Sequence, residues 1–383
     1  MTSRAGAVIF IGECLSYLDT PASTAAIRSS ALNENTNWQT IIGLANRNGV
    51  TCEFWLALNR KGLTDCLPAD VRDYLVLVYD LNRRRNQVIL DQALEVAKAL
   101  NAWNIRPVFM KGCLTLIEGA LDIGSSMMTD IDIIVKDEEI SKTFSALRSL
   151  GYAILGEPTA PSHAWTFHRS MSLVTVDLHC DVGPQRNILR ADVAIQGATD
   201  ITDNTTPVGG LNVTHRVCLL IMNFGIFERH YCAGDIPLRN LHHLASLCHQ
   251  HAGEIDWQVI ANTMAAHQLE AEAGAWGFLA RRILSAPVPT RLYRGRRARA
   301  HLIRSFLQLF CPQFDFAVRW YAAIVWPLNR FRMDYRYGCG IDGLSLLGAR
   351  VRHIAGVIAR QSSALLRRHF FATVTARPTG RPE

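Results

Sequence analysis

Arg106-Pro107-Val108-Phe109-Met110-Lys111-Gly112-Cys113, then Asp130-Ile131-Asp132-Ile133-Ile134-Val135, then Val176-Asp177-Leu178-His179 decide how this chain is read. The first stretch is a short apolar run ending in a glycine turn. The second is a buried strand opened by two acids, and the third closes a later strand with another acid. Side chains alternate across a strand with period two, so Asp130 and Asp132 project to one face of a sheet. Two hard oxygen donors then converge on one cation. An Asp-x-Asp pair alone is common in loops and carries little weight. Here an apolar strand follows it, Gly112 lies 18 positions before Asp130, and Asp177 stands on a later strand. That combination is how a divalent-metal site for phosphoryl or nucleotidyl transfer is assembled.

Outward from this stretch, residues 105–200 alternate short strands with short helices. Thr115 to Leu121 can form a helix, Glu138 to Leu150 reads as an amphipathic helix closed by Gly151, and Tyr152 to Leu155 as a strand. Ala164 to His168 and Leu173 to Leu178 complete the set, which implies an α/β or α+β core around a sheet. Residues 1–104 read as a helical region. Trp38, Ile41, Ile42 and Ala45 repeat at helical spacing, and Pro68-Ala69-Asp70 opens a second helix. That helix runs through Val71, Leu75, Val78 and Leu81, then Ile89, Ala93, Val96 and Leu100, with Arg83-Arg84-Arg85 on it or at a break in it. Residues 201–383 turn helical again through Val213 to Phe227, Leu238 to Gln250 and Trp257 to Leu284.

Composition narrows the class. The chain has 383 residues, enough for a sizeable core, and its 49% hydrophobic content is that of an ordinary globular protein. Ten scattered cysteines without a Cys-x-x-Cys pair argue against a disulfide framework or zinc ribbon. The apolar run Ala5 to Gly12 is too short for a membrane span and lacks a cleavage site, so it reads as a buried segment. The expectation is a soluble, cytoplasmic protein without a membrane span. Charge is uneven: from Arg281 onward there are 19 Arg, no Lys and 4 acids, against 21 basic and 29 acidic residues before it. Such a basic region is most simply a solvated helical surface, while nucleic acid, anionic lipid or a polyphosphate are the partners it could attract.

Lys111-Gly112, the Asp130 to Val135 strand, Gly151-Tyr152 and Val176-Asp177-Leu178-His179 resemble the DNA polymerase β type nucleotidyltransferase superfamily. Within it the chain most resembles the bacterial family labelled uncharacterised nucleotidyltransferase. The likeness takes in Trp38, Arg85-Asn86 and Ile255-Asp256-Trp257, and covers most of residues 38–290. It implies an α+β, nucleotidyltransferase-type fold: a small mixed sheet with flanking helices, preceded and followed by helical regions. It also implies a catalytic core at 105–200. In that family's terms Asp130, Asp132 and Asp177 would be catalytic and bind two Mg²⁺ ions, with Asp177 helping to deprotonate an acceptor hydroxyl. Lys111, Gly112 and the backbone near Cys113 would receive the phosphates of an NTP such as ATP. The chain departs from the pattern at Cys113, where Ser or Gly is common, and at Ser125-Ser126-Met127-Met128, where an Arg is common.

The expected activity is transfer of a nucleoside monophosphate from an NTP to an unknown acceptor, a small molecule or peptide by preference. A nucleic-acid-associated or toxin-like transferase using the basic C-terminal region, and a non-catalytic nucleotide-binding scaffold, are the alternatives. His179 reads either as a contact to nucleotide or to Asp177, or as a structural histidine. Asp122, Asp137 and Asp181 read as solvated. Gly338 to Gly343 fits a dinucleotide-binding pattern, but a charged segment precedes it and no Asp or Glu follows before Gly380. His242, His243 and His249 lack the spacing of a ligand pair and read as structural.

Overall fold

Ile131 and Ile133 are fully buried, as are Val176 and Leu178, so the two central strands have the apolar face that the alternation requires. The computed structural model describes residues 3–155, 165–179, 182, 188–201, 206–324, 328, 333, 343 and 345–357. Chain contacts divide it into two compact units, residues 1–312 and 313–383. The first unit holds one seven-stranded sheet in the order β3-β4-β5-β2-β1-β7-β6. Its strands are β1 (Val108–Phe109), β2 (Asp130–Ile134), β3 (Ala153–Ile154), β4 (Trp165–His168), β5 (Thr175–His179), β6 (Thr199–Ile201) and β7 (Val208–Gly210). β2 runs parallel to β5 and β1 parallel to β7, while the other neighbours are antiparallel. The fold is α+β with a mixed sheet and helical regions around it, as expected.

Helices α1 (Arg4–Leu15), α2 (Pro21–Ala31), α3 (Trp38–Arg47) and α4 (Thr51–Arg60) precede the long α5 (Ala69–Asn101). The apolar run near the N-terminus is a helix capped by Ser3, with Val8, Phe10 and Ile11 in the core. Arg83-Arg84-Arg85 does not break α5, which is continuous over 33 residues. Its inward face turns polar at Asn82 and Asn86 because those amides hold another segment. Asn82 donates to the carbonyls of Gly124 and Ser126, and Asn86 to those of Ile123 and Ser126. The turn leading into β2 is thereby anchored to α5.

Three local features differ from the sequence expectation. The helix after β1 is α6 (Lys111–Glu118), starting at Lys111 and not at Thr115. The segment from Trp257 to Leu284 is two helices, separated at Gln268, where the backbone φ is 57°. β6 and β7 were not marked at all, because Thr199–Ile201 and Val208–Gly210 are too short to show a period.

The remaining helices of the first unit are α7 (Ile140–Ser149), α8 (Ala191–Gln196), α9 (Val213–Met222), α10 (His230–Ala233), α11 (Leu238–Gln250), α12 (Trp257–Ala266), α13 (Glu270–Leu284), α14 (Thr290–Tyr293) and α15 (Arg296–Phe310). A π-helical turn, Asn223–Phe227, follows α9. One apolar cluster runs from α1 through the sheet to α13, so helical lead-in, sheet and later helices share a core. Tyr17, packed against this cluster, stacks on buried His242 and on exposed His249. In the second unit α16 (Pro312–Ile324) and the helical residues 345–357 are described, with Met333, Leu346 and Ala349 forming a small buried cluster. Of Gly338 to Gly343 only Gly343 lies among the described residues, and Ala164 and Asp181 lie outside them. No helix among the described residues is long and apolar enough to cross a membrane.

Candidate active site

Register places the acids. In the parallel β2–β5 pair Asp130 lies opposite Thr175, Asp132 opposite Asp177, and Ile134 opposite His179. Paired residues of neighbouring strands point to the same face, so Asp130, Asp132, Asp177 and His179 share one surface of the sheet. Asp132 and Asp177 form its central pair. Asp130 and His179 sit at opposite ends, one step along β2 and one step along β5.

Asp132 is the buried member, 1% exposed. Its Oδ1 receives a hydrogen bond from Lys111 Nζ at 2.6 Å and one from His179 Nε2 at 2.7 Å. Burial alone would raise its pKa, but Lys111 and His179 outweigh that and hold it down to about 2. Asp130 moves the other way, because burial and the neighbouring Asp132 carboxylate both raise it. Burial would lower the Lys111 ammonium, yet Asp132, with Asp130 and Asp177 behind it, raises it. Lys111 is therefore a fixed positive charge among three carboxylates.

The Lys111 backbone has φ 51°, a left-handed conformation that costs a non-glycine residue on the order of 1 kcal/mol. It turns the chain from β1 into α6 and sets the ammonium over β2. Gly112 follows for a packing reason: a Cβ there would lie 2.7 Å from Met128 Sδ. The Cys113 thiol is buried and pushed up by desolvation, and it does not line the cavity. Of the expected phosphate-binding residues, Lys111 and Gly112 reach the cavity by side chain or backbone.

That cavity has a volume of about 730 Å³ and opens onto Asp130, Asp177 and His179. A nucleotide-sized ligand fits such a space. Opposite the sheet it is walled by a polar stripe on α11: Arg239, His243, Ser246 and Gln250, spaced by three and four. Arg47 adds a cation and makes no ion pair among the described residues. Arg216 also faces the cavity, bound through one nitrogen to both oxygens of Glu118 at 2.8 Å. Glu228 and His230 project from the turn beyond the π-helical segment. Burial would lower His230, but Asp235 and Glu228 raise it to about 9, so it is an imidazolium at neutral pH.

The segment that lacks the expected Arg has a different polar arrangement. Ser126 Oγ lies 3.4 Å from Glu53 Oε1 and 3.2 Å from His243 Nε2. Burial raises the Glu53 carboxyl to about 7 and drives His243 well below its ordinary value. Arg239 donates to the carbonyl of Met127. A cation from α11 thus stands beside the segment that carries none itself. The α11 residues were missed in the sequence although their three- and four-residue spacing was legible, since a polar stripe on an otherwise apolar helix also fits a solvated face.

Asp132, Asp177 and His179 each place one donor atom within 4.8 Å of the others, a spread that a metal ion can bridge, and Asp130 is outside this set. Asp177 Oδ1 is buried with no hydrogen-bond partner among the described residues. A buried carboxylate oxygen left without a donor fits a cation. His179 bonds to Asp132, the acid that neither sequence reading of this histidine had named.

Comparison with known families matches residues 34–285 to the family described as uncharacterised nucleotidyltransferase. A search of curated proteins found no match.

Proposed function

Because this chain belongs to the uncharacterised nucleotidyltransferase family, we propose that it is a Mg²⁺-dependent enzyme moving a nucleoside monophosphate from an NTP to an acceptor hydroxyl. The observation that carries this reading is the in-register pairing of Asp132 with Asp177 on parallel strands, beside Asp130 and the floor of a nucleotide-sized cavity. In it, residues 105–200 are the catalytic core, flanked in the sequence by regions 1–104 and 201–383. Asp130, Asp132 and Asp177 hold the metal, two ions in the full complex, and the NTP phosphates lie toward Lys111, Gly112 and the start of α6. Bound there, Mg²⁺ supplies charge stabilisation to the attacking and leaving oxygens.

The chain's own groups do the rest. Asp177 helps take the acceptor proton as the new oxygen–phosphorus bond forms and the bond to pyrophosphate breaks. Lys111, Arg47 and Arg239 offset the triphosphate charge from the cavity wall. A small molecule or peptide is the preferred acceptor, since the cavity is walled by helices on the side facing the sheet.

Incubation with each α-labelled NTP and Mg²⁺, using cell extract as the acceptor pool, tests the reading. Label transfer should occur in the wild type and be lost in Asp130→Asn/Asp132→Asn. Equal labelling in both, or none with any nucleotide, would favour a non-catalytic scaffold.

A further inference from the structure

The surface formed by β2 and β5 is not an all-carboxylate site. Its register puts an imidazole where a purely acidic cluster would have a third oxygen: His179 is two residues after Asp177, on the same face, and Ile134 opposite it offers no donor. His179 Nε2 and one oxygen each of Asp132 and Asp177 lie within 4.8 Å of one another. Octahedral ligands at about 2.1–2.2 Å from an ion are roughly 3 Å apart when adjacent and about 4.3 Å when opposite, so three donors with that spread can share one ion. Asp130 falls outside the set because the register places it one step away in the other direction.

Charge points the same way. Three carboxylates and the Lys111 ammonium leave a net of two negative charges, which a single divalent ion balances. Lys111 is ion-paired to Asp132, whereas Asp177 makes no ion pair among the described residues. Asp177 Oδ1, which has no donor among the described residues, and the His179 ring are left to face an ion.

From these positions we propose that His179 is a metal ligand, completing with Asp132 and Asp177 a nitrogen-containing site for one resident divalent ion of the Mn²⁺ class. Asp130 is left to an ion that arrives with the triphosphate. This rests on the transferase reading for its purpose, not for its binding chemistry. Imidazole suits transition ions, whereas Mg²⁺ keeps to oxygen donors and water, so the site should prefer Mn²⁺ to Mg²⁺. On ligation the neutral ring carries its hydrogen on Nδ1, and the Nε2 lone pair that replaces the hydrogen bond to Asp132 turns to the ion.

Affinity alone cannot separate a ligand from a partner that merely orients Asp132, since loss of either weakens binding by about 10- to 100-fold. Nitrogen coupling can. Mn²⁺ added to the nucleotide-free chain should give an electron spin-echo spectrum with ¹⁴N modulation from a directly bound imidazole. The modulation should persist in Asp130→Asn and vanish in His179→Gln, measured at an Mn²⁺ concentration that still fills the site. Competition should show Mg²⁺ displacing Mn²⁺ poorly from the wild type and better from His179→Gln. Wild-type chain that binds Mn²⁺ without ¹⁴N modulation, modulation that survives in His179→Gln, or no Mn²⁺ binding would each overturn the proposal, and the wild-type spectrum decides even if a variant fails to fold. A chain that shows the coupling and transfers no nucleotide would sink the transferase reading alone. Transfer without coupling would sink only the histidine ligand.

Discussion

A carboxylate at 1% exposure is costly unless its charge is balanced, and Asp132 is balanced by Lys111 with a further hydrogen bond from His179. Removing the cation leaves the acid buried and half-satisfied. Lys111→Met should therefore destabilise the metal-free chain by about 1–3 kcal/mol, less than a fully buried pair would because the lysine is 34% exposed. Millimolar divalent ion should restore much of that loss, and thermal melting with and without ion checks it. Glu53 behaves oppositely. Its folded pKa of about 7 lies above its ordinary 4.5, so the fold favours its protonated form. That contribution is fully present below pH 4.5 and is lost as pH rises through about 7, on the order of 2–3 kcal/mol. Glu53→Gln, which stays neutral, should flatten the fall in stability between pH 4.5 and about 7, as urea melts at a series of pH values would show. An unchanged slope would mean that Glu53 is not the titrating group. The common face of Asp130 and Asp132 was legible in the sequence because strand alternation forces it, while Asp177 joins that face only through the pairing of β5 with β2. The bonds from Lys111 and His179 to Asp132 were not legible, since they depend on a left-handed backbone at Lys111 and on strand register.

Helix α6 and the turn before β2 show how two elements share one contact. Gly112 lies against Met128, and a methyl group there would require the methionine to move. Gly112→Ala should cost about 1–3 kcal/mol, and Met128→Ala in the same chain should recover part of it, measured as denaturant midpoints. No recovery would place the glycine's role in the backbone alone. The glycine turn was visible in the sequence as a candidate phosphate contact, while its packing partner 16 residues on was not. Helix α11 carries a different lesson. Its apolar face was legible from periodicity, but periodicity does not tell a polar stripe that faces water from one that faces a cavity. Arg239 is the residue on that stripe nearest the Ser126–Met127 segment, bonded to the Met127 carbonyl. Arg239→Ala should raise the KM for NTP by about 10- to 100-fold with a smaller change in kcat, as expected for a charged contact to a phosphate.

At the scale of the whole molecule, the mixed sheet brings together strands far apart in sequence: β1 lies between β2 and β7, and β2 between β1 and β5. A core of α/β or α+β class was legible because strand and helix periods alternate from 105 to 200, and the family resemblance pointed to α+β. The strand order was not legible, because sequence period does not record which edges pair. The uneven charge belongs to this scale too. A small or peptide acceptor predicts activity that varies little between about 50 and 200 mM salt, whereas a nucleic-acid acceptor held by the Arg-rich region would lose affinity steeply over that range. The central claim, that the Asp132–Asp177 pair is built to hold a metal and a nucleotide, needs no knowledge of the acceptor. Equilibrium binding of a non-hydrolysable NTP, with and without divalent ion, tests it in the wild type and in Asp132→Asn and Asp177→Asn. Binding to the wild type should require the ion and fall by at least about tenfold in each variant. Ion-independent binding, or equal binding by all three proteins, would contradict it.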